Sequence, residues 1–92
     1  MKNTESTEKE KVIFRKSAGE VFAIFPEQVN THTKMVAYFV FNGGHAEGDY
    51  ISMIYSSKPA TEEEYAELKE YLEKNYEYDF IVRKKAKINY SK

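Results

Sequence analysis

The sequence predicts an α+β fold: one small domain with a mainly antiparallel sheet of about five strands, in the chain order ββββαβ, and one helix packed on one face. Three observations carry this expectation. Short β-branched and aromatic runs recur at residues 12–16, 21–25, 35–41, 50–55 and 80–82, each bounded by turn formers or charged residues. One helix-start signature, Thr61-Glu62-Glu63-Glu64, stands between the fourth and fifth runs. The chain has 92 residues, 41% of them apolar, enough for a single modest core. With eight Tyr, six Phe and no Trp, much of that core must be aromatic.

The first two runs, Val12-Ile13-Phe14-Arg15-Lys16 and Val21-Phe22-Ala23-Ile24-Phe25, flank Ser17-Ala18-Gly19-Glu20. A four-residue connection with Gly third suits an antiparallel hairpin in which Gly takes a positive φ. Pro26 offers no N–H to a ladder, so the second strand is expected to stop there. Residues 27–33, including His32, then read as a polar loop. Residues 35–41 are apolar on both alternating faces, as in a central strand covered by the helix on one side and by a less obvious element on the other; if that second face stays open, it is an aromatic patch. The fourth strand is expected at Tyr50-Ile51-Ser52-Met53-Ile54-Tyr55, reached through Asn42-Gly43-Gly44-His45-Ala46-Glu47-Gly48-Asp49.

Thr61-Glu62-Glu63-Glu64 is a capping box, the Thr61 hydroxyl accepting from the N–H of Glu64 while the Glu64 carboxylate accepts from that of Thr61. Ala60 and Tyr65 occupy the positions of a hydrophobic staple. Tyr65, Leu68 and Leu72, with Tyr71 at the margin, form the apolar stripe that packs on the sheet, and Glu70 and Lys74 form an i,i+4 pair on the outer side. Asn75 is the expected stop. A fifth strand centred on Phe80-Ile81-Val82 follows, and residues 83–92 hold five basic groups and no acidic one.

Fourteen basic against fifteen acidic side chains give a net charge of -1, which argues against the broad electrostatic footprint of a typical nucleic-acid binder. Without cysteine there is no disulfide, thiolate nucleophile or cysteine-ligated metal centre. The longest apolar run, residues 35–41, is too short to span a bilayer, and the first eleven residues lack a signal-peptide apolar region. The expected organisation is a disordered polar tail over 1–11, the domain over 12–85, a loose basic tail over 86–92, and a cytoplasmic setting away from membranes.

The stretch 42–50 concentrates three of the four glycines with a histidine and two carboxylates. His45, Glu47 and Asp49 alternate, so on extended backbone they share a side, as metal ligands or an acid/base set would. Gly with Asp or Asn is also ordinary turn composition, which makes a hairpin loop the first explanation. His45, Glu47, Asp49 and Tyr50, with Tyr38, are the candidate binding residues; no catalytic residue, metal or cofactor is assigned. His32 joins His45 only if the two loops meet. Arg83, Lys84, Lys85 and Lys87 are candidate phosphate or acidic-surface contacts. Residues 34–41 have the aromatic character of an RNA-binding strand, but Met35 and Ala37 stand where that motif wants Gly and a second aromatic, and the element order differs.

Three segments together carry a resemblance. Val12-Ile13-Phe14-Arg15-Lys16 leads into Glu20-Val21-Phe22-Ala23-Ile24-Phe25-Pro26-Glu27; Gly44-His45-Ala46-Glu47-Gly48-Asp49-Tyr50 follows; Lys58-Pro59-Ala60-Thr61-Glu62-Glu63-Glu64-Tyr65-Ala66-Glu67-Leu68 comes third. In this order they resemble a family of small uncharacterised proteins encoded by bacteriophages and bacterial mobile elements, over most of residues 12–83. His45, Asp49 and Tyr50 match its pattern; Gly48 stands where the family has Ala, and the loop is rearranged around Ala46 and Glu47. The resemblance implies a genomic context and a bacterial cytoplasm, with no activity attached.

The expected function is accordingly a non-enzymatic interaction protein of a phage or mobile element, acting on a host or element macromolecule, first of all a protein. A nucleic-acid accessory protein and a small metal-dependent hydrolase using the 45–49 loop are the alternatives. An apolar second sheet face in so short a chain also makes a homodimer an expectation.

Overall fold

The computed structural model describes residues 9–41, 43–76 and 79–90. Its elements are β1 (Glu10–Ser17), β2 (Glu20–Asn30), β3 (Met35–Val40), β4 (Gly44–Gly48), α1 (Tyr50–Tyr55), β5 (Lys58–Pro59), α2 (Glu62–Tyr76) and β6 (Phe80–Arg83). The strands form one sheet in the order β4-β3-β2-β1-β5, and β6 also pairs with β1. The fold is α+β as expected, a mostly antiparallel sheet with one main helix. β6 makes the sheet mixed, running parallel to β1 with Glu10 opposite Phe80 and Ile13 opposite Arg83.

The β1–β2 hairpin is tighter than a four-residue connection. Ser17 faces Glu20, and the two loop residues Ala18 and Gly19 have φ of 52° and 82°. Positive φ at both positions is what a two-residue type I′ turn needs to match the twist of the strands. Gly19 adopts it without steric penalty, whereas Ala18 carries a Cβ into the left-handed region.

β2 does not stop at Pro26. It runs on to Asn30, and its register against β3 shifts between Phe25 and Val29. Pro26 lies in that irregular stretch, where no ladder N–H is required of it. The expected loop therefore shrinks to residues 31–34. Asn30 holds the turn, its Oδ1 accepting from the N–H groups of His32 at 2.9 Å and Thr33 at 3.3 Å.

The largest correction concerns the fourth strand. The glycine-rich stretch expected as a loop is itself strand β4, paired with β3 from Val36 opposite Gly48 to Val40 opposite Gly44. Residues 50–55, expected as a strand, form helix α1. Asp49 caps it, its Oδ2 accepting from the N–H of Ser52 at 2.9 Å. Tyr50, Met53 and Ile54 recur at helical spacing and face the sheet, whereas Ile51 and Tyr55 point outward. The β-branched and aromatic character of the run is overridden by this cap and by the side of the sheet that it covers.

The sheet consequently has two covered faces. On one, Leu68 and Leu72 of α2 pack on Val12, Phe14, Ala23, Phe25, Phe39 and Phe80. On the other, Tyr50 joins Ile13, Phe22, Ile24 and Val36, with Met53, Ile54, Ala86 and Ile88 packed around them. The less obvious cover expected for the second face is α1 with the 86–88 segment, and the case for a homodimer built on an open apolar face falls away. The expected loose tail from residue 86 is also corrected: Ala86 and Ile88 pack on this second core, and the Ala86 N–H donates to the Tyr50 hydroxyl at 3.0 Å. Glu10 and Lys11, placed in the N-terminal tail, belong to β1. Residues 1–8 of that tail and residues 91–92 lie outside the described residues.

α2 follows the sequence closely. The Glu64 N–H donates to Thr61 Oγ1 at 3.2 Å, and the Thr61 N–H to Glu64 Oε1 at 2.9 Å, closing the capping box. Tyr65 stacks on Phe14 with ring centroids 4.3 Å apart. Lys74 and Glu70 approach to 3.9 Å. The helix passes Asn75 by one residue and ends at Tyr76.

Candidate functional site

β3 and β4 bring the one candidate residue from the glycine-rich stretch that lies among exposed rings. Phe39 and His45 are directly opposite across the ladder, on the α2 face, with ring centroids 4.8 Å apart. Phe39 itself is buried beneath α2. From α2, Tyr76 stands edge-on to His45 at 5.2 Å and Tyr71 lies over Phe39 at 5.9 Å. Phe41, just beyond the end of β3, meets Tyr71 at 5.0 Å. Phe41, Tyr71 and Tyr76 remain 44%, 37% and 45% exposed, and His45 is exposed as well. Four partly exposed rings thus share one surface, floored by a fifth that is buried.

This clustering follows from local structure. Leu68 and Leu72 anchor α2 over the centre of the sheet, so its last turns run out over β3 and β4, beyond the area that aliphatic side chains cover. Rings there rest on Phe39 and still present an edge or face to solvent. Aromatic side chains give large contact area at low conformational cost, and Tyr adds a hydroxyl for a directed hydrogen bond. The surface is suited to contact.

The other candidates do not assemble with His45. Glu47 lies two residues along the same side of β4, but its carboxylate accepts from Asn30 Nδ2 at 3.2 Å and Thr33 Oγ1 at 3.4 Å, bracing the β2–β3 turn. Asp49 caps α1. Tyr50 is buried on the opposite side of the sheet, and Tyr38 packs there edge-on to Phe22 at 6.1 Å. Strand alternation separates Tyr38 from His45, so the five predicted binding residues form no single site. Among the described residues no group of three or more His, Asp or Glu side chains is arranged to hold a metal ion, which removes the geometric basis of a 45–49 metal centre. The RNA-binding reading of β3 loses its platform too, since Phe39 is buried and Tyr38 lies under α1 cover.

Arg83, Lys84, Lys85 and Lys87 are all exposed. Arg83, Lys85 and Lys87 line a shallow depression of about 260 Å³ with Lys11, but Glu27 stands in the same depression, 3.5 Å from Lys11. That carboxylate lowers the local positive potential that a phosphate would need.

Arg15 is the residue that the sequence reading passed over. It is the buried charged side chain of β1, 8% exposed, and its guanidinium donates to Ser57 Oγ at 2.9 Å, Ile54 O at 2.9 Å and Ser57 O at 2.7 Å. It closes the carbonyl end of α1, where a cation is favoured. An arginine continuing the apolar run Val12-Ile13-Phe14, at an inward position of the strand, is the signal in the sequence. Beside it, Lys16, Ser17, Tyr55, Ser56 and Lys58 line a cavity of about 410 Å³ that also holds Glu64. Lys16 is paired with Glu64, whose carboxyl is held below its ordinary range first by that hydrogen bond and then by the Thr61 N–H. Tyr55, 87% exposed, stands at the rim.

Comparison with protein-family models, curated proteins and solved structures finds no match for this chain. Among the described residues no helix is long and apolar enough to cross a membrane.

Proposed function

We propose that this chain is a non-enzymatic interaction protein that engages another protein through the ring surface formed by Phe41, His45, Tyr71 and Tyr76. The observation that carries this reading is the cluster itself: partly exposed aromatic rings held in mutual contact over a buried Phe39. Tyr and Phe anchors of this kind concentrate binding energy at protein interfaces, and contiguous exposed apolar surface on a small domain marks a contact site. We place the partner among host or mobile-element proteins and the setting in the bacterial cytoplasm, the context that the resemblance of residues 12–83 implies.

The test is affinity capture from bacterial lysate with wild-type protein and a Tyr71→Ala/Tyr76→Ala variant. A partner protein captured by the wild type and weakened about tenfold or more in the variant is the expected result, a loss typical of interface anchors. Arg83→Ala/Lys84→Ala should leave capture unchanged. If nucleic acid is enriched instead, and is lost with the Arg83 and Lys84 replacements or with rising salt, the basic segment is the functional surface.

A further inference from the structure

We infer that two copies of this chain pair edge to edge through β4, antiparallel about Ala46, extending the sheet across a two-fold axis. β4 is the outer strand, and among the described residues nothing pairs with its second edge. An exposed edge is protected by short length, charged side chains, proline or a bulge; the one charged side chain of β4, Glu47, is one that the pairing itself uses. Gly44-His45-Ala46-Glu47-Gly48 contains neither lysine nor proline, and its five residues pair with β3 without a register shift.

The strand is self-complementary in that register. Pairing about Ala46 places Ala46 opposite Ala46 of the partner subunit, His45 opposite Glu47 of the partner subunit, and Gly44 opposite Gly48 of the partner subunit. Alternation puts His45 and Glu47 on the α2 side and Gly44, Ala46 and Gly48 on the other. Two symmetry-related pairs, an imidazole N–H donor facing a carboxylate acceptor, then close the seam on one side, and only small residues meet on the other. Imidazole has a donor whether neutral or charged, and the Glu47 carboxylate has lone pairs left beyond those used by Asn30 and Thr33. A slip by one residue would set His45 against Ala46 and lose both pairs, so the side chains select the register. Such a contact is isologous and closed, and it leaves both ring surfaces on the same face of the extended sheet, flanking the seam. It shares His45 with the ring surface but does not depend on which protein that surface binds.

The experiment uses the absence of cysteine from the chain. In Ala46→Cys the new thiols of two copies lie on the two-fold axis, at a Cα separation of roughly 4.5–5.5 Å, within disulfide range. Mild oxidation should convert this variant to a covalent dimer at concentrations where Glu67→Cys, exposed on α2 away from the β4 edge, stays monomeric. By sedimentation equilibrium, His45→Glu sets carboxylate against carboxylate and should weaken dimerisation about tenfold or more, two pairs being lost at once. The double exchange His45→Glu/Glu47→His restores opposite partners and should recover it. Glu47→Lys serves as a second disruptive variant, with circular dichroism reporting that each remains folded. A wild-type chain that is monomeric at about 1 mM, or cross-linking no faster at position 46 than at 67, would overturn the inference. Capture by the ring surface is scored separately, so a monomer that still loses its partner in Tyr71→Ala/Tyr76→Ala overturns edge pairing alone.

Discussion

Arg15 shows how much one buried side chain can organise. Its guanidinium satisfies two carbonyls and a hydroxyl at the end of α1 from a strand some forty residues away in sequence. Removing it leaves buried acceptors without donors, so Arg15→Ala is expected to destabilise the domain by about 3 kcal/mol in urea unfolding. Arg15→Lys should recover only part of this, because one ammonium cannot reproduce the planar fork. Ala18 is the opposite case, a residue held against its preference. With φ at 52° it should be stabilised by Ala18→Gly or Ala18→Asn, by about 0.5–1 kcal/mol, read as a raised melting temperature.

At the scale of elements, the two helices depend on different things. α1 has six residues, too few to persist alone, and is held by the Asp49 cap at one end and Arg15 at the other. Asp49→Ala should cost about 1 kcal/mol and raise amide exchange throughout residues 50–55, with little effect on α2. α2 carries its own start. Its Glu64 is exposed, and its carboxyl is held below the ordinary range by Lys16 and the Thr61 N–H. A lowered folded-state pKa means that this stability is present above the unfolded carboxylate value, about 4.3, and lost as pH falls through the folded one. Glu64→Gln should therefore flatten the decline in stability below about pH 4.3, and a pH–stability curve that stays parallel to wild type would refute the coupling.

Across the whole molecule, the chain beyond β6 completes the second core. Ala86 and Ile88 cover the α1 side of the sheet, and the Ala86 N–H holds the Tyr50 hydroxyl. Ending the chain after residue 85 should lower the urea midpoint and expose surface that binds a hydrophobic dye. Ile88→Ala should reproduce part of that loss, about 1–2 kcal/mol, without altering the backbone. If both variants match wild type, the segment adds nothing to the core.

The sequence by itself determined the elements whose signals are local. The capping box, the Tyr65, Leu68 and Leu72 stripe, the hairpin glycine at 19 and the α+β class all depend on residues within a turn or two of one another, and they appear as read. Residues 44–48 and 50–55 could not be assigned that way. Glycine-rich composition fits a loop as well as a strand, and Tyr-Ile-Ser-Met-Ile-Tyr fits a strand as well as a helix. Only tertiary structure decided between them: β3 supplied a ladder for 44–48, and the uncovered side of the sheet supplied a surface for Tyr50, Met53 and Ile54. The candidate site divides in the same manner. His45 was legible as a reactive residue in an unusual setting, but its partners Phe41, Tyr71 and Tyr76 come from elements up to about thirty residues away, and no spacing rule joins them. Local propensity sets what each segment is able to become; burial against distant segments selects which of those forms persists, and so decides which side chains share a surface.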